Sequence, residues 1–212
     1  MGRAEHLGGH NNKTWSDYGA LEYLKNEVGA KTFLDIGCGP GGQIEMAKKL
    51  GLIVQGVDGD PTFRDKPEVH IHDYAVGPLR AKNIPSLPRS GYFDIGWSVE
   101  FLEHVEEKYI GNFMATFSAC KYLVVTHARP GQGGYHHVNE RHFNYWNSIF
   151  SENNFKVSGI LTQGVRANST MRVKKGLGGF NYIFKGDDVI VKKINDSFLN
   201  RNGWVFVNQN IK

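Results

Sequence analysis

Val99–Val105 reads VEFLEHV and places two carboxylates and an imidazole, Glu100, Glu103 and His104, within five residues. On a helix these positions stand at i, i+3 and i+4 and share one face. Such a face can hold a divalent cation (Mg²⁺, Mn²⁺ or Zn²⁺), or it can form a hydrogen-bonded helix start with no metal. More imidazoles lie in Gly131–Trp146, GQGGYHHVNERHFNYW, where His136 and His137 follow a glycine run. Either could serve as a further ligand or as a general base near neutral pH, or could simply pack within its loop. The third chemical stretch is Phe33–Gly42, FLDIGCGPGG, a glycine-dense turn preceded by Asp35. Glycines let backbone approach a ligand closely, and a helix behind the turn offers free N–H groups. A carboxylate at the strand end suits a cationic group on that ligand.

These residues need elements to position them. Short apolar runs alternate with helical patterns along the chain. Thr32–Ile36, Ile53–Val57, Val69–His72, Phe93–Ser98, Tyr122–Thr126, Phe155–Leu161 and Trp204–Val207 read as strands. Helical patterns cover Ala20–Glu27, capped by Ser16, then Gln43–Leu50 and Glu106–Cys120. A fourth helix runs from about Glu140 to Asn153, with Asn139 as N-cap and Phe143, Trp146, Ile149 and Phe150 as its apolar stripe. That leaves His136 and His137 ahead of the cap and puts His142 inside the helix. Alternating strands and helices predict a three-layer, doubly wound, mostly parallel sheet. Parallel sheets bind ligands outside the carboxyl ends of their strands, which would bring His127 and the 128–139 loop to the same rim as Glu100 and His104. A single domain is expected over 1–212, with an N-terminal segment and helix in 1–30 and a basic, glycine-containing insertion in 164–200.

FLDIGCGPG resembles the first motif of the class I S-adenosylmethionine-dependent methyltransferases, hydrophobic-x-Asp-hydrophobic-Gly-x-Gly-x-Gly, and the likeness extends over roughly residues 30–160. Gly37, Gly39 and Gly42 also satisfy G-x-G-x-x-G, but Asp35 and Pro40 fit a dinucleotide turn poorly. The resemblance implies a seven-stranded Rossmann-like sheet with an antiparallel last strand. It implies S-adenosylmethionine bound by Asp35, Gly37, Cys38, Gly39 and Gly41. Asp58 and Gly59 would serve the ribose, Asp73 and Tyr74 the adenine, and Ser98 the methionine end. Glu-x-x-Glu-His at this position resembles two metal-assisted groups, the ubiquinone-pathway O-methyltransferases and the small-RNA 3′-terminal 2′-O-methyltransferases. On that likeness Glu100, Glu103, His104 and His137 form a metal site, and Glu100, His104 and His137 are the catalytic candidates. HHVNER…YW further resembles small phage-type methyltransferases. His10 and Trp15 would lie in a lid over the transferred methyl.

The resemblance implies methyl transfer to an oxygen or nitrogen of a small-molecule acceptor, with an RNA or DNA acceptor as the alternative. The basic Arg166–Lys193 stretch favours nucleic acid, whereas a net charge of +4 over 212 residues is modest for such a partner. Two cysteines, Cys38 and Cys120, are too few for a disulfide scaffold, and no apolar run reaches the length of a membrane span. A cytoplasmic protein without membrane contact is therefore expected, and the oligomeric state stays open.

Overall fold

The computed structural model describes residues 4–7, 10, 13–171, 178–185, 188–195 and 198–212. Five strands, β1 (Thr32–Ile36), β2 (Ile53–Asp58), β3 (Val69–Ile71), β4 (Phe93–Ser98) and β5 (Cys120–Val125), run parallel. They alternate with α1 (Tyr18–Val28), α2 (Gly42–Lys49) and α3 (Ile110–Phe117). Beyond β5 come α4 (Phe143–Glu152), β6 (Phe155–Val157) and α5 (Gly159–Asn168). Strands β7 (Gly178–Lys185) and β8 (Asp188–Asn195) pair as a separate two-stranded ribbon, followed by α6 (Phe198–Asn202) and β9 (Trp204–Asn208). The main sheet has seven strands in the order β3-β2-β1-β4-β5-β9-β6, and β9 is antiparallel to both its neighbours.

The side-chain period of two explains why both faces are covered. On β1, Leu34 and Ile36 join Phe113, Phe117, Trp146 and Phe150 from α3 and α4. Phe33, next to them in the strand, turns to the other face and joins Leu21 and Leu24 of α1 and Val165 of α5. The same alternation recurs on β5, where Leu123 and Val125 share the first cluster and Val124 the second.

Several expected boundaries moved. Asp17, not Ser16, caps α1: its Oδ1 accepts from the Ala20 N–H at 3.0 Å. The same buried carboxylate accepts from the Thr170 and Met171 N–H groups at 2.8 and 3.3 Å, pinning α1 to the segment after α5. The Phe155–Leu161 run splits into β6 and the start of α5, because Ser158 caps a helix there, with Oγ accepting from the Leu161 N–H at 3.3 Å. Helix α4 has His142, not Asn139, at its N-cap. Asn139 is instead buried, and its Nδ2 donates to the Val105 carbonyl at 3.2 Å. Arg166 belongs to α5, and Lys174 and Lys175 of the basic stretch lie outside the described residues. No described helix is long and apolar enough to cross a membrane.

Candidate active site

A cavity of about 330 Å³ opens beyond the carboxyl ends of β1–β4. The turn after β1 forms its floor. Gly37, Gly39 and Gly41 all take left-handed φ values, 75°, 50° and 84°. At Gly37 an added Cβ would lie 2.4 Å from the Phe101 ring, so glycine is needed for space as well as for φ. The N–H groups of Gly37 and Cys38 donate to the Val57 carbonyl, and the Gly39 N–H donates to Asp58 Oδ2 at 2.7 Å.

Three carboxylates stand along this floor. Asp35 is 3% exposed, and its Oδ2 has no hydrogen-bond partner among the described residues. Burial first, and then Asp58, hold its carboxyl well above the ordinary aspartate range. Asp58 accepts the Gly39 and Asp60 N–H groups, one on each oxygen, and burial raises it as well. Asp73 follows β3, and its Oδ2 lies 2.9 Å from His6 Nε2. Tyr74, beside it, is buried and donates its hydroxyl to Thr116 Oγ1 at 3.0 Å. Trp97 of β4 faces the cavity with a buried Nε1–H that has no partner among the described residues, and Asp35 and Trp97 are register partners across β1 and β4.

The N-terminal segment lies across these turns in reverse chain order. Thr14 Oγ1 accepts from the Gly42 N–H at 3.1 Å, behind β1. His10 Nε2 is 2.9 Å from Asp60 Oδ2, behind β2, and His6 reaches Asp73 behind β3. Leu7 rests where a Cβ on Gly59 would fall, at 2.4 Å. Trp15 also lines the cavity.

The opposite wall carries the acid–imidazole group, in a geometry the sequence misjudged. Glu100 has φ +56°, and only Leu102–His104 coil, as a single 3-10 turn. Glu100, Glu103 and His104 therefore do not share a helical face. Glu100 is anchored to the end of β5 instead: its N–H donates to Thr126 Oγ1 at 2.7 Å, and the Thr126 hydroxyl donates to Glu100 Oε1 at 3.2 Å. Burial pushes Glu100 up to about 7, with the Thr126 hydroxyl opposing.

Glu103, His104 and His137 bring one ligand atom each to within 4.8 Å of one another, and Glu100 is not part of this group. Glu103 is fully buried, and among the described residues neither of its carboxylate oxygens has a partner, nor does His104 Nδ1. Burial, then Glu100, raise Glu103 well above the ordinary glutamate value. Burial, then His137 and His136, push His104 down to about 4. The His104 and His137 rings meet edge-to-face at 4.9 Å.

The cavity thus brings together Asp35, Gly37, Cys38, Gly39, Asp58, Gly59, Asp73, Tyr74, Glu100, His104, His136 and His137. Three expected residues do not line it. Gly41 shapes the turn at the N-cap of α2. Ser98 is buried and donates to the Ile36 carbonyl at 3.0 Å, joining β4 to β1. Glu103 lies behind the wall, against His104 and His137. His127 is buried and outside the lining. The sequence marks Trp97 only by its place beside Ser98 and Glu140 only as the first turn of a helix, and it carries no signal that singles out His6 or Thr126.

Residues 34–118 match the model of a methyltransferase domain. The chain is 31% identical over 115 residues to the ubiquinone biosynthesis O-methyltransferase of Brucella ovis, covering 47% of this chain and 46% of that protein. It thus spans about half the length of the curated relatives it matches. A SAM-dependent methyltransferase from Archaeoglobus fulgidus is 21% identical, with TM-score 0.50 over 72% of this chain and 75% of that one. A structure described for conversion of a disulfide bond into a thioacetal group during echinomycin biosynthesis is 13% identical, with TM-score 0.53 over 96% of this chain and 91% of that one. These two likenesses establish the fold.

Proposed function

We propose, for a chain that belongs to the class I S-adenosylmethionine-dependent methyltransferase family, transfer of a methyl group to an oxygen or nitrogen of a small-molecule acceptor. The observation that carries this reading is the partnerless Asp35 oxygen, buried beside the glycine turn in a cavity whose far wall holds Glu100, His104 and His137. A buried carboxylate calls for a cationic partner, and the α-ammonium of S-adenosylmethionine is one. The partnerless Trp97 Nε1–H suits the carboxylate of the same amino-acid group. Gly37, Cys38 and Gly39 would let backbone approach it. Asp58 retains a lone pair on each oxygen for ribose hydroxyls, and Asp73 with Tyr74 would border the adenine. Gly41, Gly59 and Ser98 would support these turns without polar side-chain contact to the ligand.

When bound, S-adenosylmethionine supplies an electrophilic methyl group on a sulfonium. The chain's part is to align the acceptor with that group and to manage the acceptor's proton. Glu100, lifted to about 7 and held by Thr126, is matched to receiving a proton near neutral pH. His104, depressed to about 4, keeps its electron pair and is a ligand rather than a base. Glu103, His104 and His137 fit a divalent cation, since a buried carboxylate with two partnerless oxygens and imidazole nitrogens are donors that such an ion takes. Such a cation would lower the proton affinity of an acceptor hydroxyl. Lys174 and Lys175, part of the basic stretch behind the nucleic-acid alternative, lie outside the described residues.

Calorimetric titration with S-adenosylhomocysteine tests the reading, followed by transfer assays on small hydroxylated acceptors and an oligoribonucleotide in parallel. Binding of the homocysteine compound and turnover confined to small acceptors is expected. No binding overturns the methyltransferase reading, and turnover confined to the oligoribonucleotide overturns the acceptor class.

A further inference from the structure

The sequence places Glu140 in the first turn of a helix, where an acid would merely complement the dipole. The structure gives it another role. Its Oε2 accepts the Gly131 N–H at 2.7 Å, and its Oε1 accepts the Gly133 N–H at 2.7 Å. Oε1 also lies 3.0 Å from His137 Nδ1. Residues 131–137 are wound around this carboxylate, with left-handed φ at Gly131 (79°), Gly133 (69°) and, at a position without glycine's freedom, His136 (52°). A non-glycine residue in that region costs on the order of 1 kcal/mol, and the contacts to Glu140 hold the turn in place.

The chemistry of the contact fixes a proton. Each Glu140 oxygen accepts a glycine N–H, which favours the ionised form that a glutamate ordinarily takes near neutral pH. An ionised carboxylate only accepts hydrogen bonds, so the hydrogen between Oε1 and Nδ1 must sit on Nδ1. In the neutral ring Nε2 then carries the lone pair. Gly134 packs over the Nε2 end of the ring, where an added Cβ would lie 2.3 Å from Nε2 and 2.5 Å from Cε1, so the ring can hold this orientation only beside a glycine. With Nδ1 engaged, Nε2 is the nitrogen His137 has left to offer the group it forms with Glu103 and His104.

We propose that Glu140 is a positioning residue, which locks His137 in the Nδ1–H tautomer and so presents its Nε2 electron pair to the Glu103–His104 pocket. The value of that pair to a cation rests on the metal reading given above; the tautomer itself does not.

Long-range ¹H–¹⁵N NMR on the full chain labelled at histidine reads the tautomer directly, with an H137Q variant to assign the signal. In the wild type, His137 Nδ1 should resonate as a protonated nitrogen and Nε2 as an unprotonated one. E140A should move His137 towards the Nε2–H form that a free imidazole ring favours. E140Q, which keeps the shape, should loosen the lock while retaining the folded spectrum. A wild-type His137 protonated on Nε2 overturns the proposal whatever the variants do, as does an unchanged tautomer in folded E140A. In parallel, titration with Mn²⁺ alone should show roughly 10- to 100-fold weaker binding by E140A than by wild type. A wild type that binds no Mn²⁺ overturns the metal reading, and the tautomer measurement still decides the role of Glu140.

Discussion

Replacing Asp35 by asparagine should make the ligand-free protein more stable and its ligand weaker. The amide would keep the side-chain outline and remove a charge that is 3% exposed and has a partnerless Oδ2. A buried polar group without a partner costs about 1–3 kcal/mol, and a charged one more, so D35N should gain about that much at pH 8. The sign follows from linkage. The folded chain binds the Asp35 proton more tightly than the unfolded chain, because burial raises its pKa. Wild-type stability is therefore undiminished below the unfolded aspartate pKa and falls as pH rises through the window up to the raised folded value. The advantage of D35N should be full above that window and fade at acid pH. Ligand binding should move the other way: losing a charge-assisted hydrogen bond of about 1.5–3 kcal/mol weakens S-adenosylhomocysteine roughly ten- to hundredfold. Urea unfolding at acid and alkaline pH gives the stabilities, and calorimetry gives the affinity. A D35N protein that is less stable than wild type at pH 8, or that binds S-adenosylhomocysteine as well as wild type does, would refute the reasoning.

Gly37→Ala forces a methyl group against the Phe101 ring at a φ of 75°, so a stability loss of about 1–3 kcal/mol and loss of S-adenosylhomocysteine binding are expected by thermal melting and calorimetry. Thr126→Val removes both hydrogen bonds that anchor Glu100 and should cost about 1–3 kcal/mol, with the acid limb of the pH–rate profile shifted. Mn²⁺ at about a hundredfold above its Kd should stabilise wild type by about 2.7 kcal/mol, and E103Q should lose that response. Cys38 and Cys120 are both buried, with thiols held high by burial, so Ellman's reagent should react with neither in the native chain and with both in denaturant.

The sheet was largely legible because its strands are buried on both faces and read as continuous apolar runs, as in TFLDI and FDIGWS. The glycine turn was legible too, since Asp35, Gly37 and Gly39 carry their geometry in residue type. Legibility failed where an apolar run was not a strand. Gly159-Ile-Leu161 looks like one, yet Ile160 is 79% exposed on α5, a helix whose Gly164 admits Tyr23 of α1. It failed again where backbone broke a pattern. The left-handed Glu100 cannot be read from a Glu-x-x-Glu-His spacing, and it takes the first acid out of the group that the spacing suggested. Glu140 was misread because local capping chemistry and a loop-organising carboxylate look alike in one dimension. Only the loop returning on itself distinguishes them.

The place of β9 also bears on the order of assembly. Among the described residues β6 pairs only with β9, so Val157 waits for Phe206 across the whole interval that holds α5, the β7–β8 ribbon and α6. Chain closure over a longer interval costs little at equilibrium, about 0.6 kcal/mol per doubling, but contacts so distant in sequence form late. Until β9 docks, β5 is an open edge, and β5 leads directly to Thr126, the residue that holds Glu100. During synthesis, then, the strands β1, β2 and β3, whose turns would bind the ligand, can pair early, while the β5 edge beside Thr126 is covered last.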